Sequence, residues 1–177
     1  VLAGSLCYSL LGHPEEAVAL IREGTRRGVR SPALYEELGS AAITAGDSLI
    51  AEWAFQRLEG LGRESSECLY FLGFLDWNQG KRDRALVRLE RSVSLHPGNG
   101  RALLLLGTIR YQMGQLELAR ETLIRAVRLP HAGGGADRLL AQVCRALHLE
   151  SEARAAEARA RGPKGPLPTG LTLFAIP

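Results

Sequence analysis

Lysine is almost missing from this chain of 177 residues: only Lys81 and Lys164 occur, so the 22 basic residues are nearly all arginine. Against 19 acidic residues they leave a formal net charge of only +3, and most of the arginines alternate with glutamates. A nucleic-acid binder gathers its basic residues on one face, so the pattern reads as solvated helix surface and no nucleic-acid partner is expected. Cysteine is scarce too. Cys7, Cys68 and Cys144 fall inside the periodic apolar pattern, read as small core or near-core residues, and imply no disulfide framework. No apolar run approaches the roughly 18 residues that a membrane-spanning helix needs. The N-terminus also lacks a basic region followed by an apolar stretch and a cleavage site. The chain starts without Met and already inside a repeat, and is expected to be a piece of a longer protein. Its compartment stays open: cytoplasmic or, with a bacterial leader removed, periplasmic. The preference for arginine over lysine points to a bacterial source of high GC content.

Groups that do chemistry are equally sparse. His13, His96, His131 and His148 sit at turns or repeat ends, tens of residues apart. Cys144 and His148 have the i, i+4 spacing that could share a metal on one helix, but no third or fourth ligand accompanies them. Gly133-Gly134-Gly135 lacks the Gly-Lys-Ser/Thr that must follow a phosphate-cradling loop, and reads as a joint. No enzymatic activity, metal or cofactor is therefore expected.

What the chain does have is a period. Leu72-Gly73 recurs 34 residues later as Leu106-Gly107, and the same column holds Gly39 and Ala141. A second column holds Ala17, Ala51, Ala85, Ala119 and Ala153; a third holds Gly12, Gly46, Gly80 and Gly114 and lapses at His148. Each period has two apolar stripes at helical spacing with the turn glycine between them. Small residues at Gly73 and Ala85 let paired helices approach closely, and the turn glycine supplies the left-handed backbone that ends a helix. Neither helix of a pair can bury its stripe alone, so neighbouring pairs must stack. Pro14 and Ser31-Pro32 mark helix starts.

This 34-residue unit, with its Leu-Gly pair, turn Gly, downstream Ala and closing proline, resembles the tetratricopeptide repeat. The copies at 66–99 and 100–133 are the most regular, closing at Pro97 and Pro130. The aromatic that the family places after Leu-Gly is displaced by Asp76 and Arg110, with Trp77 and Tyr111 one residue further on. The resemblance implies an all-α fold, a right-handed superhelical solenoid over 1–163, with repeats at about 1–31, 32–65, 66–99, 100–133 and 134–163. In the last repeat Glu157 replaces Ile21, Phe55, Leu89 and Leu123 of the other copies, as suits a capping helix with one face in water.

The resemblance also implies a protein-interaction module whose first helices line a concave groove. On the third of these, Tyr70, Phe74 and Trp77 are spaced i, i+4, i+7 and share one stripe, beside Asn78. Leu69, Leu72 and Gly73 separately supply its core face. The fourth offers Leu104, Thr108, Tyr111 and Gln112, with Arg101 at its mouth; the fifth offers Arg138, Gln142 and Arg145, a site for carboxylates. Together these are the expected contacts for an extended or helical peptide of a protein partner, with the chain acting as adaptor, chaperone or assembly factor. The Lys and Asn pattern of the family's carboxylate-clamp members is absent, since Ser40 and Phe74 stand where Asn is favoured. Two alternatives remain: the substrate-recruiting region of a larger enzyme, or a self-associating scaffold. Residues 164–177 depart from the repeat. Pro163, Pro166 and Pro168 favour an extended linker, and Leu171, Leu173, Phe174 and Ile176 make an apolar tail, either without a role or a peptide for a groove of this kind, its own chain's or a neighbour's.

Overall fold

In the computed structural model, residues 14–27, 31–129 and 133–161 are described. Among them the chain forms helices α1 (Pro14–Arg26), α2 (Pro32–Ala45), α3 (Ser48–Gly60), α4 (Ser66–Asn78), α5 (Arg82–Leu95), α6 (Gly100–Gln112), α7 (Leu116–Val127), α8 (Gly133–Ala146) and α9 (Glu150–Ala160), with no strand. It divides into two compact units, Val1–Ala102 and Leu103–Pro177, the division falling within α6.

The turn between paired helices repeats one backbone design. Gly46, Gly80 and Gly114 have φ of 78°, 74° and 74°. The next amide donates back to the first helix each time: Asp47 to Ala42, Lys81 to Asp76, Gln115 to Arg110 and Leu149 to Cys144, at 2.8–2.9 Å. His148, where the glycine column lapses, takes the same conformation at φ 61°. The geometry is thus set by the repeat, and His148 bears a cost that a glycine would not, about 1–2 kcal/mol.

Close approach explains the small columns. A Cβ built on Gly39 would lie 2.3 Å from the Phe55 ring; one on Gly107 would lie 2.7 Å from Leu123, and one on Gly73 3.0 Å from Leu89. Ala51, Ala85, Ala119 and Ala153 are all buried. In the first unit Leu34, Leu38, Phe55, Leu58, Cys68 and Leu72 form a buried cluster that Phe71 joins from the side. In the second, Leu123, Leu140, Val143, Cys144, Ala153 and Ala156 do the same, flanked by Leu104, Tyr111 and Ile124.

Polar groups fix the remaining positions. Asp47 and Ser65 cap α3 and α4 by accepting from the amides of Ile50 and Cys68. Ser31 does occupy the N-cap position of α2, but its side chain makes no capping bond; the proline that follows supplies the helical φ instead. Buried Ser92 and half-buried Ser66 exchange hydroxyl-to-carbonyl hydrogen bonds. Asn99 donates to the Ser66 hydroxyl at 2.9 Å while its carbonyl oxygen accepts from the Ala102 amide, tying the start of α6 to α4.

Asp76 is buried and ion-paired with Arg88, which also holds Glu59 at 2.6 Å. Burial alone would lower the Arg88 pKa, but its bonds to Glu59 and Asp76 outweigh that and raise it. The residue that displaces the family's aromatic is therefore one end of an internal ion triad. Arg110, one period on, donates to the Thr122 hydroxyl at 2.6 Å.

Candidate functional site

The α4 helix separates two faces. Cys68, Leu69, Leu72 and Gly73 are buried, whereas Tyr70, Phe74 and Trp77 are half-buried and Asn78 is exposed. The aromatic stripe is thus distinct from the core stripe on the same helix. Arg101 lies 5.4 Å over the Tyr70 ring and bonds to Glu67 at 2.8 Å, so cation, ring and carboxylate form one surface cluster. Burial raises the Tyr70 pKa and Arg101 opposes the rise.

On α6, Leu104 and Tyr111 are half-buried and pack onto the core cluster of the second unit. Half-buried Thr108 turns its hydroxyl inward along its own helix, donating to the Leu104 carbonyl at 2.8 Å. Gln112 is exposed. Arg138, Gln142 and Arg145 are all exposed on α8, but Arg145 is ion-paired with Glu157 of α9. Of the two arginines expected to receive a carboxylate there, one already holds a carboxylate of its own repeat. The tail residues Leu171, Leu173, Phe174 and Ile176 lie outside the described residues, as does Cys7.

Cys68 and Cys144 are buried free thiols. Burial, with Glu59, Glu64 and Glu36 nearby, pushes Cys68 up to about 12; burial and Glu152 raise Cys144, while Arg120 and Arg159 pull it back. Neither thiol has the electropositive, partly exposed setting of a reactive cysteine.

Sequence reasoning missed the apolar side chains left exposed on, or just after, the second helices. Leu49, Trp53, Leu61, Val87, Leu95 and Leu118 are the exposed large hydrophobics among the described residues, and none lies on a first helix. The signal was present: Trp53 and Val87 stand one period apart, as do Leu61 and Leu95.

Residues 77–143 match the tetratricopeptide repeat family model. No curated protein matches the chain. Among solved structures, MamA superposes with a TM-score of 0.72 at 17% identity, over 88% of this chain and 91% of that one. The 41-end fragment of MamA from Desulfovibrio magneticus RS-1 gives 0.71 at 24% identity, over 88% of each chain. YrrB, described as a TPR protein with an unusual peptide-binding site, gives 0.71 at 17% identity, over 88% of this chain and 80% of that one. With the 34-residue columns, the paired helices and these likenesses in agreement, the chain carries tetratricopeptide repeats over residues 77–143 and has an all-α helical-repeat fold.

Proposed function

We propose that this chain binds a peptide segment of a protein partner on its first-helix faces and carries no chemistry of its own. The observation that carries this reading is the division of α4: its core is furnished by Cys68, Leu69, Leu72 and Gly73, which leaves Tyr70, Phe74 and Trp77 half-buried with surface to give. Aromatic side chains supply large contact area at small entropic cost and dominate many interfaces. Beside them, Arg101 and Asn78 of the same unit add exposed polar groups that can fix the orientation of a bound backbone. The likeness to YrrB adds a fold known to present a peptide-binding site. An adaptor, chaperone or assembly role would follow from whichever partner supplies the peptide.

The test is a display selection of peptides on the full chain, followed by calorimetry of the selected sequences. Phe74→Ala or Trp77→Ala is expected to weaken binding by about 2 kcal/mol or more. Selected peptides whose affinity is unchanged by both substitutions would overturn the assignment of this face.

A further inference from the structure

The second-helix side of the first unit holds a cleft that the first-helix reading does not use. A cavity of about 320 Å³ opens among α1, α2 and α3, floored by Leu38 and walled by Leu49, Ile50 and Trp53, with Arg22 and Arg26 at its edge. Leu49 is 80% exposed and Trp53 40% exposed. Trp53 is held on edge by Tyr35, at 5.7 Å between ring centroids, and Arg57 lies 5.6 Å over its face.

The repeat itself says what this cleft lacks. Arg57 belongs to a column that continues as Arg91, Arg125 and Arg159, one, two and three periods on; Arg125, with Glu121 in the column of Trp53, holds no carboxylate among the described residues. Arg91 holds Glu64 at 3.0 Å and Arg159 holds Asp137 at 2.8 Å. Among the described residues Arg57 holds no carboxylate and stacks only on Trp53. The equivalent cleft three periods on, about 390 Å³ among α7, α8 and α9, has Ala155 in place of Trp53 and Glu152 in place of Ile50. There Glu152 is already bonded to Arg120 at 2.6 Å. In that later cleft Arg120 and Arg159 are held by carboxylates of the chain itself, and no aromatic lines it. In the first cleft the apolar wall and Arg57 face outward, while Arg26 is ion-paired with Glu23 at 3.9 Å.

We infer that the α1–α2–α3 cleft is a second docking site, which takes an acidic peptide segment of a partner: one apolar side chain enters beside Trp53 and a flanking carboxylate bonds to Arg57. Charge complementarity selects this occupant. A carboxylate on Arg57 reproduces the pairing that Arg91 and Arg159 already show, and paired N–H donation from a guanidinium is the geometry that such a bond uses.

The probe is the end-blocked hexapeptide Asp-Glu-Leu-Phe-Glu-Asp, titrated into the full chain and followed by NMR at the Trp53 indole and the Leu49 and Ile50 methyl groups. Saturating shifts at these groups are expected, fading as salt rises because exposed charges are screened over about 8–10 Å. Arg57→Glu is expected to weaken binding more than tenfold and Arg57→Lys far less, while Trp53→Ala removes it; Arg159→Glu, in the same column, leaves it unchanged. Two control peptides, one with lysines for the acids and one with alanines for Leu-Phe, are expected not to bind. The inference is overturned if the acidic peptide gives no saturating shift at millimolar concentration, if either control peptide does as well, or if the shifts fall on Tyr70 and Phe74 instead. It is also overturned if the Trp53 signal moves on dilution without peptide, which would assign the face to a second copy of the chain.

Discussion

Repeat three, built from α4 and α5, and repeat five, built from α8 and α9, share one 34-residue frame and fill it with different chemistry. In repeat three Gly73 faces Leu89, so closely that a Cβ would meet Leu89 at 3.0 Å. In repeat five Ala141 stands in the glycine's column and Glu157 in the leucine's, and Glu157 is half-buried and turned to Arg145. A second pair of columns differs more: Asp76 and Arg88 in repeat three become Cys144 and Ala156 in repeat five, both buried and apolar. The frame therefore constrains pairs, since a column tolerates charge when its partner column changes with it.

The largest effect that could break this view comes from splitting a pair. Asp76→Ala leaves the shielded Arg88 with Glu59 alone and is expected to cost about 3 kcal/mol in urea unfolding. Asp76→Ala combined with Arg88→Ala imitates the Ala42 and Ala54 of repeat two, and is expected to cost less than the two single changes added together. Additive losses would show that the pair is not the unit.

A middle-sized effect concerns the small column. Gly39→Ala, Gly107→Ala and Gly73→Ala are expected to fall in that order from most to least destabilising, following the approach distances of 2.3, 2.7 and 3.0 Å. Overpacking costs about 1–3 kcal/mol, but alanine returns about 0.5–1 kcal/mol of helix propensity, so Gly73→Ala is expected to be near neutral. In repeat five Ala141→Gly is expected to be destabilising. Thermal melts that rank the three glycines in another order would sever the link between distance and cost.

The smallest effect at neutral pH separates the two buried thiols. The folded chain holds the Cys68 proton up to about pH 12, whereas an ordinary thiol releases it near 9. The unfolded chain therefore binds fewer protons in that window, and stability falls as pH rises from about 9 towards 12, with no contribution below it. Urea midpoints at pH 8 and about 10.5 are expected to differ less in Cys68→Ala than in the parent chain. An equal difference in both would mean that the burial of Cys68 does not govern the slope.

These contrasts mark what the sequence could carry. The Gly39, Gly73 and Gly107 column was legible because the Phe55, Leu89 and Leu123 side chains come so close that only a small residue fits, and the buried Ala51 column was legible because small residues recur there at the same period. The turn column was legible even through its lapse, since His148 adopts the backbone angle of the glycines it replaces. The Asp76–Arg88–Glu59 triad was not legible. Its members are 12 and 29 residues apart on three helices, and Asp76 by itself reads only as an interruption of an aromatic position. At the candidate site, the split of α4 into core and aromatic stripes followed from spacing, but the pairing of Arg145 with Glu157 did not, because an arginine on a helix face does not announce whether its own chain already holds it. Trp53 was passed over because Phe55 explained the core of α3 and nothing required a second aromatic there.

The central claim is that α4 turns one face to the core and another to a partner, and thermal unfolding of two variants tests it without knowledge of that partner. Leu72, 1% exposed, is expected to cost about 2–5 kcal/mol when replaced by Ala. Trp77→Ala, on the half-buried stripe, is expected to leave the helical signal and Tm close to those of the parent chain. A Trp77→Ala protein that melts as early as Leu72→Ala would contradict the account, because the indole would then belong to the core.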